Sequence, residues 1–240
     1  MVQHVGVDGC RFGWVAVFED NGELLYRLFS KFAELVAFFP AANFLVDIPI
    51  GLPWNACPVR PCDALARKNL GPGRASSVFP APSRDACRAS DVNEARRLNE
   101  AELGKSLSAQ AWGICPKIAE VDVFMLSNPT AQLRVREMHP EVCFWALNGQ
   151  KVMALSKSKK LGAEQRLEVL SKYEPRSQEL LATFEREQFR KHVKPDDVLD
   201  ALVGYVTARE GNANQRLKGQ PERDQLGLPM EMIYPQGRIL

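Results

Sequence analysis

The run Phe44-Leu45-Val46-Asp47-Ile48-Pro49-Ile50 constrains this chain more than any other stretch. It is apolar almost throughout, as a strand covered on both faces must be, yet it holds one carboxylate. An ionised aspartate among such neighbours is costly unless a partner or a cation offsets it. Pro49 ends the run, because it has no N–H to give to a sheet. A second short apolar run near the start, Val5-Gly6-Val7-Asp8, also ends in an aspartate. If the two strands are parallel neighbours, Asp8 and Asp47 lie side by side at one sheet edge.

The segments between these runs supply the rest of a sheet. Gly9-Cys10-Arg11-Phe12-Gly13 reads as a turn, Trp14–Phe18 as a second strand, Asp20-Asn21-Gly22 as another turn and Glu23–Phe29 as a third strand. Ser30 is expected to cap a helix over Lys31–Phe39, which Pro40 stops. After residue 51 the prolines crowd together, which marks an insertion at about 52–115, helical around Asp91–Leu103. Gln110–Val123 predicts a helix interrupted at Pro116, with Gly71–Arg74 read as a loop. Leu133–Met138 alternates as a fifth strand, and Glu141–Leu147 opens a short helix after Pro140. Basic helical stretches at Ala163–Ser171 and Gln178–Lys191 follow. Asp196–Arg209 has apolar residues at helical spacing. Residues 211–224 read as a linker, and Met230–Tyr234 as an edge strand.

Three antiparallel strands, a crossover helix, a parallel fourth strand, a fifth and a late helix are the order of the RNase H-like fold. That is a three-layer α/β architecture with a mixed five-stranded sheet, here expected as a single domain over 1–240 with the insertion and a basic helical stretch at about 151–194. Ligands in such sheets bind at the carboxyl ends of parallel strands. Asp197-Val-Leu-Asp200 then supplies a third element. Residues three apart share a helix face, so Asp197 and Asp200 point together, with Asp196 as the expected N-cap. Three or four convergent carboxylates can hold two divalent ions ~4 Å apart, and hard oxygen ligands select Mg²⁺ or Mn²⁺.

Charge refines this picture. The 240 residues carry 31 Lys and Arg against 29 Asp and Glu, a net +2. Residues 58–105 hold nine basic against six acidic residues, and 151–194 hold eleven against six, so the remainder is acidic. Basic stretches flanking an acidic centre suit a polyanionic substrate, with Lys157, Lys159 and Lys160 reaching phosphates. No basic start followed by an apolar stretch and no membrane-length apolar run occurs, so a cytoplasmic protein with no membrane partner is expected. The six cysteines read as reduced thiols, and Cys57 and Cys62 lack a second pair at zinc spacing. Neither a phosphate-binding glycine loop nor a nucleophile elbow occurs.

The phrases Val5-Gly-Val-Asp-Gly-Cys-Arg-Phe-Gly-Trp, Val46-Asp-Ile-Pro-Ile-Gly-Leu-Pro, Ser77-Val-Phe-Pro-Ala-Pro, Pro116-Lys-Ile-Ala-Glu-Val-Asp, Glu137-Met-His-Pro-Glu and Asp197-Val-Leu-Asp-Ala-Leu resemble an uncharacterised bacterial and archaeal family of predicted RNase H-like nucleases. The acidic arrangement is also similar to that of RuvC-type Holliday junction resolvases. This resemblance implies metal-ligand and catalytic roles for Asp8, Asp47, Asp197 and Asp200. Asp47 stands where those resolvases carry a glutamate.

Glu137, His139 and Glu141 cluster after the fifth strand and are expected to reach the same site, with His139 relaying a proton. Arg11, Arg84, Lys117 and Glu120 are the expected substrate contacts. The expected function is hydrolysis of phosphodiester bonds in DNA or RNA by two Mg²⁺ or Mn²⁺ ions. A branched substrate would favour a homodimer. Two rival readings share the core: a phosphotransferase or ATPase of the actin type, and a non-catalytic nucleic-acid-binding module. Against the first, Asp8-Gly9-Cys10-Arg11 lacks the threonine of the actin-type phosphate loop. Against the second, a pure anion binder gains nothing from a cluster of acids.

Overall fold

The computed structural model describes residues 1–157, 159–187 and 191–237. Its strands are β1 His4–Gly9, β2 Trp14–Asp20, β3 Glu23–Phe29, β4 Asn43–Val46, β5 Val135–Glu137, β6 Gln215–Arg223 and β7 Pro229–Tyr234. Its helices are α1 Phe32–Phe38, α2 Pro61–Arg74, α3 Arg84–Cys87, α4 Val92–Leu103, α5 Ala109–Ser127, α6 Pro140–Leu147, α7 Lys160–Ser171, α8 Ser177–Arg186 and α9 Pro195–Arg209. The chain forms two compact units, one of Met1–Asp47, Arg134–Gln215 and Ile233–Leu240, the other of Ile48–Leu133 and Arg216–Met232.

The first unit is an α/β structure on a mixed five-stranded sheet of order β3-β2-β1-β4-β5. The first three strands are antiparallel neighbours, while β1, β4 and β5 run parallel. Strand periodicity then sorts the two faces. Trp14 and Phe18 turn towards α1, where Trp14 meets Phe32 at 5.1 Å and Phe18 meets Phe39 at 4.7 Å between ring centres. Val15, Val17 and Leu45 turn the other way, into a core completed by α6, α7, α8 and α9. Every residue of α9 from Val198 to Ala208 is buried. That explains why its sequence is apolar on nearly all sides rather than along one stripe.

Two glycines decide how α9 meets the sheet. A Cβ on Gly6 would lie 2.0 Å from the Ala201 carbonyl oxygen and 2.1 Å from the Tyr205 nitrogen. The helix backbone therefore rests directly on β1. Gly204 faces the same contact, 3.2 Å from the Gly6 Cα when a Cβ is added. This close approach carries residues near the start of α9 to the carboxyl end of β1.

The second unit packs α2 to α5 with the β6–β7 hairpin. Asp122 of α5 accepts from Arg84 Nη2 and Arg88 Nη2, each at 2.9 Å. Asp224 accepts from Arg84 Nη2 at 2.5 Å and from the Leu52 backbone nitrogen at 3.0 Å. Asp122 and Asp224 are thus matched by guanidinium and amide donors.

Several local expectations are corrected. The Ser30 hydroxyl donates to Glu34 at 2.8 Å, and Lys31 holds the N-cap position of α1. Pro116 does not interrupt its helix, for α5 runs through it unbroken. Gly71–Arg74 belongs to the end of α2, which kinks at Gly71, where φ is 62°. Residues 215–223 form β6 instead of a linker: only Leu217 is buried, so the strand arises from pairing with apolar β7 and leaves little hydrophobic signal. The expected helix over Gln178–Lys191 is α8 as far as Arg186, and residues 188–190 lie outside the described residues. All six cysteines are buried and none forms a disulfide, in line with reduced thiols. Among the described residues, no helix is long and apolar enough to cross a membrane.

Candidate metal centre

Asp8 sits at the carboxyl end of β1, and Asp47 follows directly on β4. The Asp47 nitrogen donates to the Val7 carbonyl at 2.9 Å, which extends the parallel pairing by one step and sets the two aspartates side by side. Asp200 arrives from α9, one turn before the helix crosses Gly6. One carboxylate oxygen from each of the three residues lies within 4.8 Å of the others. Asp8 is 8% exposed and Asp200 only 1%. Asp8 Oδ1 accepts from the Gly9 nitrogen at 2.7 Å. Asp200 Oδ1 is buried and has no hydrogen-bond partner among the described residues.

A lysine enters this cluster. Lys157, in the segment before α7, donates from Nζ to Asp200 Oδ2, and its charge also acts on Asp8 and Asp47. The ammonium is held in its charged form by Asp200, Asp8 and Asp47 against the cost of its burial. Lys157 is therefore not a free phosphate contact. Of the other two lysines expected to reach phosphates, Lys160 lies 3.8 Å from Glu164 on an exposed helix face.

The remaining predicted residues divide. Asp197 is half-buried and spends one oxygen as a helix cap, accepting from the Lys194 nitrogen at 2.9 Å. The expected N-cap, Asp196, is not the cap: the helix begins at Pro195 with Lys194 as N-cap, and Asp197 at N3 accepts from that residue's backbone. Glu141, buried in the first turn of α6, ion-pairs with Arg166, whose Nη1 also donates to the carbonyls of Gly162 at 2.9 Å and Leu155 at 3.0 Å. The Glu141 charge still acts on Asp47 and Asp200, so it borders the cluster. Glu137 is buried in register with Val46. Strand alternation therefore turns it to the α1 face, away from Asp47. His139 is the N-cap residue of α6, and its carbonyl accepts from Val142 and Cys143. Arg11 is exposed in the turn after β1. Arg84, Lys117 and Glu120 belong to the second unit, where Arg84 is committed to Asp122 and Asp224. Sequence reasoning missed Arg166 and the true partner of Lys157. No local signal could have found either, since the pairs are 25 and 43 residues apart.

Crowding of acids without water shifts their titration. Burial, reinforced by Asp47 and Asp200, holds the Asp8 carboxyl well above the usual carboxylate range. Burial likewise raises Asp47, Asp197 and Asp200 to about 6, with the Lys157 ammonium partly opposing the rise at Asp47 and Asp200. A carboxyl with a raised folded pKa binds its proton more tightly in the native state than in the unfolded chain. Its contribution to stability is thus greatest at low pH and is lost as pH rises from about 4 through about 6. In the absence of metal, this contribution to the melting temperature should decline across that window, and Asp47→Asn should flatten the decline and leave the protein at least as stable as wild type near neutral pH. Melting curves at several pH values check this. A clearly destabilised Asp47→Asn protein would mean that Asp47 serves only as a backbone acceptor.

The donor set fits a hard divalent cation. Three carboxylates converge, one buried oxygen among them lacks a hydrogen-bond partner among the described residues, and oxygen-only ligation suits Mg²⁺ or Mn²⁺ rather than zinc. Neither a curated protein nor a solved structure matches the chain. Residues 6–223, which include Asp8, Asp47, Lys157 and Asp200, match the family described as Protein of unknown function (DUF429), and the chain belongs to that family.

Proposed function

We propose that this protein is a divalent-metal-dependent nuclease that hydrolyses phosphodiester bonds in nucleic acid. The observation that carries the reading is the meeting of Asp8, Asp47 and Asp200 at the carboxyl ends of β1 and β4, with Asp200 Oδ1 buried and unpartnered among the described residues. The strand order, with an antiparallel meander joined to parallel β4 and β5, supports an RNase H-like assignment.

Asp8, Asp47 and Asp200 would hold Mg²⁺ or Mn²⁺. When bound, such an ion supplies Lewis-acid polarisation of a phosphoryl oxygen and favours hydroxide at neutral pH. The chain's own residues do the rest. The rigid β1–β4 pairing fixes two ligands before any ion arrives, so little ordering is required at the moment of reaction. Buried Glu141, ion-paired with Arg166, borders the cluster without adding net charge to it. Lys157, paired with Asp200, offsets part of the negative charge of the cluster.

The test is direct. Single-stranded, duplex and branched DNA and RNA are incubated with the protein in Mn²⁺, in Mg²⁺ and in EDTA. Cleavage of at least one substrate in metal and none in EDTA is expected. Undiminished cleavage in EDTA, or no cleavage of any substrate by a protein that binds the metal, would overturn the reading.

A further inference from the structure

Lys157 sets a positive charge directly against the carboxylate cluster. Its Nζ takes Asp200 Oδ2, leaving Asp200 Oδ1, like the neighbouring Glu141 Oε2, buried with no hydrogen-bond partner among the described residues. One carboxylate thus has one oxygen on an ammonium and the other buried with no hydrogen-bond partner among the described residues. Asp197, the natural extra ligand for a second ion, is outside the group of mutually close oxygens and has an oxygen committed to the α9 cap. The charge arithmetic agrees. Asp8, Asp47 and Asp200 carry three negative charges, while one ammonium and one divalent ion carry three positive ones. Glu141 is already matched by Arg166. A second divalent ion would leave a positive excess in a desolvated site, directly beside the ammonium, where repulsion is barely screened.

We infer that the centre takes a single divalent ion and that Lys157 is its second cation, a positioning residue that holds Asp200 and neutralises the cluster in place of a second ion. This rests on the metal-dependent reading above, but its test does not need the activity. Mn²⁺ is the probe, and bound ions are counted by titration with electron paramagnetic resonance of the free ion. Wild type is expected to bind one Mn²⁺ per chain at the cluster. Lys157→Gln should bind its first Mn²⁺ at least about tenfold more tightly, because a unit positive charge a few ångströms away has gone. Lys157→Arg should behave as wild type, which separates charge from a packing effect. Lys157 has a side chain 38% exposed, so Gln there has room and water, and circular dichroism confirms that the variant is folded.

Two ions on the wild-type chain, or an unchanged first affinity in Lys157→Gln, would overturn the inference and leave the nuclease reading standing. One tighter-held ion in Lys157→Gln, with no cleavage by wild type, would support the inference and sink the nuclease reading. Failure of both proteins to bind Mn²⁺ would overturn both.

Discussion

Replacing Gly6 by alanine should abolish the native fold of the first unit or destabilise it severely. The added carbon would stand 2.0 Å from the Ala201 oxygen and 2.1 Å from the Tyr205 nitrogen. These are backbone atoms of a fully buried helix, so no side chain can rotate away. Either α9 withdraws from β1 or β1 is expelled from the sheet, and both expose core residues such as Val198, Leu202 and Val203. Overpacking of a well-packed core typically costs ~1–3 kcal/mol when side chains yield, and a rigid backbone contact should exceed that range. Chemical denaturation of Gly6→Ala beside wild type is the measurement. A loss under about 1 kcal/mol would show that the helix can slide, a milder response than packed backbones allow. The same close approach brings Asp200 to Asp8, so a folded Gly6→Ala protein should also have lost metal affinity.

For the metal-dependent cleavage proposed above, Asp200→Asn should have the largest effect on the rate. The asparagine amide fills nearly the same volume but cannot serve both neighbours of Asp200. Its NH₂ group faces either the Lys157 ammonium, as donor against donor, or the position of the cation, where it repels. Removal of one preorganised electrostatic contact in a water-poor site typically costs 10²–10³-fold in rate, and here a ligand and the anchor of Lys157 are lost together, so about 10³-fold or more is expected. The fold should survive, since Lys157 can turn its head to water once released. Cleavage rates in saturating Mn²⁺, with melting curves as a control on folding, provide the check. Activity within about tenfold of wild type would remove Asp200 from the catalytic centre.

The sheet was largely legible in the sequence. Period-two and all-apolar runs of adequate length left few alternatives for β1 to β5, and glycine-rich turns marked their ends. Asp8 and Asp47 were legible for the same reason: a carboxylate closing an apolar strand must be explained by something outside the strand. Local competition was less legible. Asp196 reads as a good N-cap, yet the helix takes in Pro195, so Lys194 is the N-cap and Asp197, at N3, accepts from its nitrogen. The strand β6 was missed because a polar strand in a two-stranded sheet owes its existence to its partner, not to its own pattern.

The sequence by itself determined which residues carry unmatched charge in apolar surroundings, because burial periodicity and charge are local properties of the chain. The tertiary structure alone decided how those charges are matched. Lys157 reaches Asp200, Arg166 takes Glu141, and alternation along β5 turns Glu137 to the other face. Each outcome depends on which backbones approach closely enough for a side chain to span the gap. That distance is set by packing, above all by the bare contact between α9 and Gly6, and packing couples residues that no sequence window contains together.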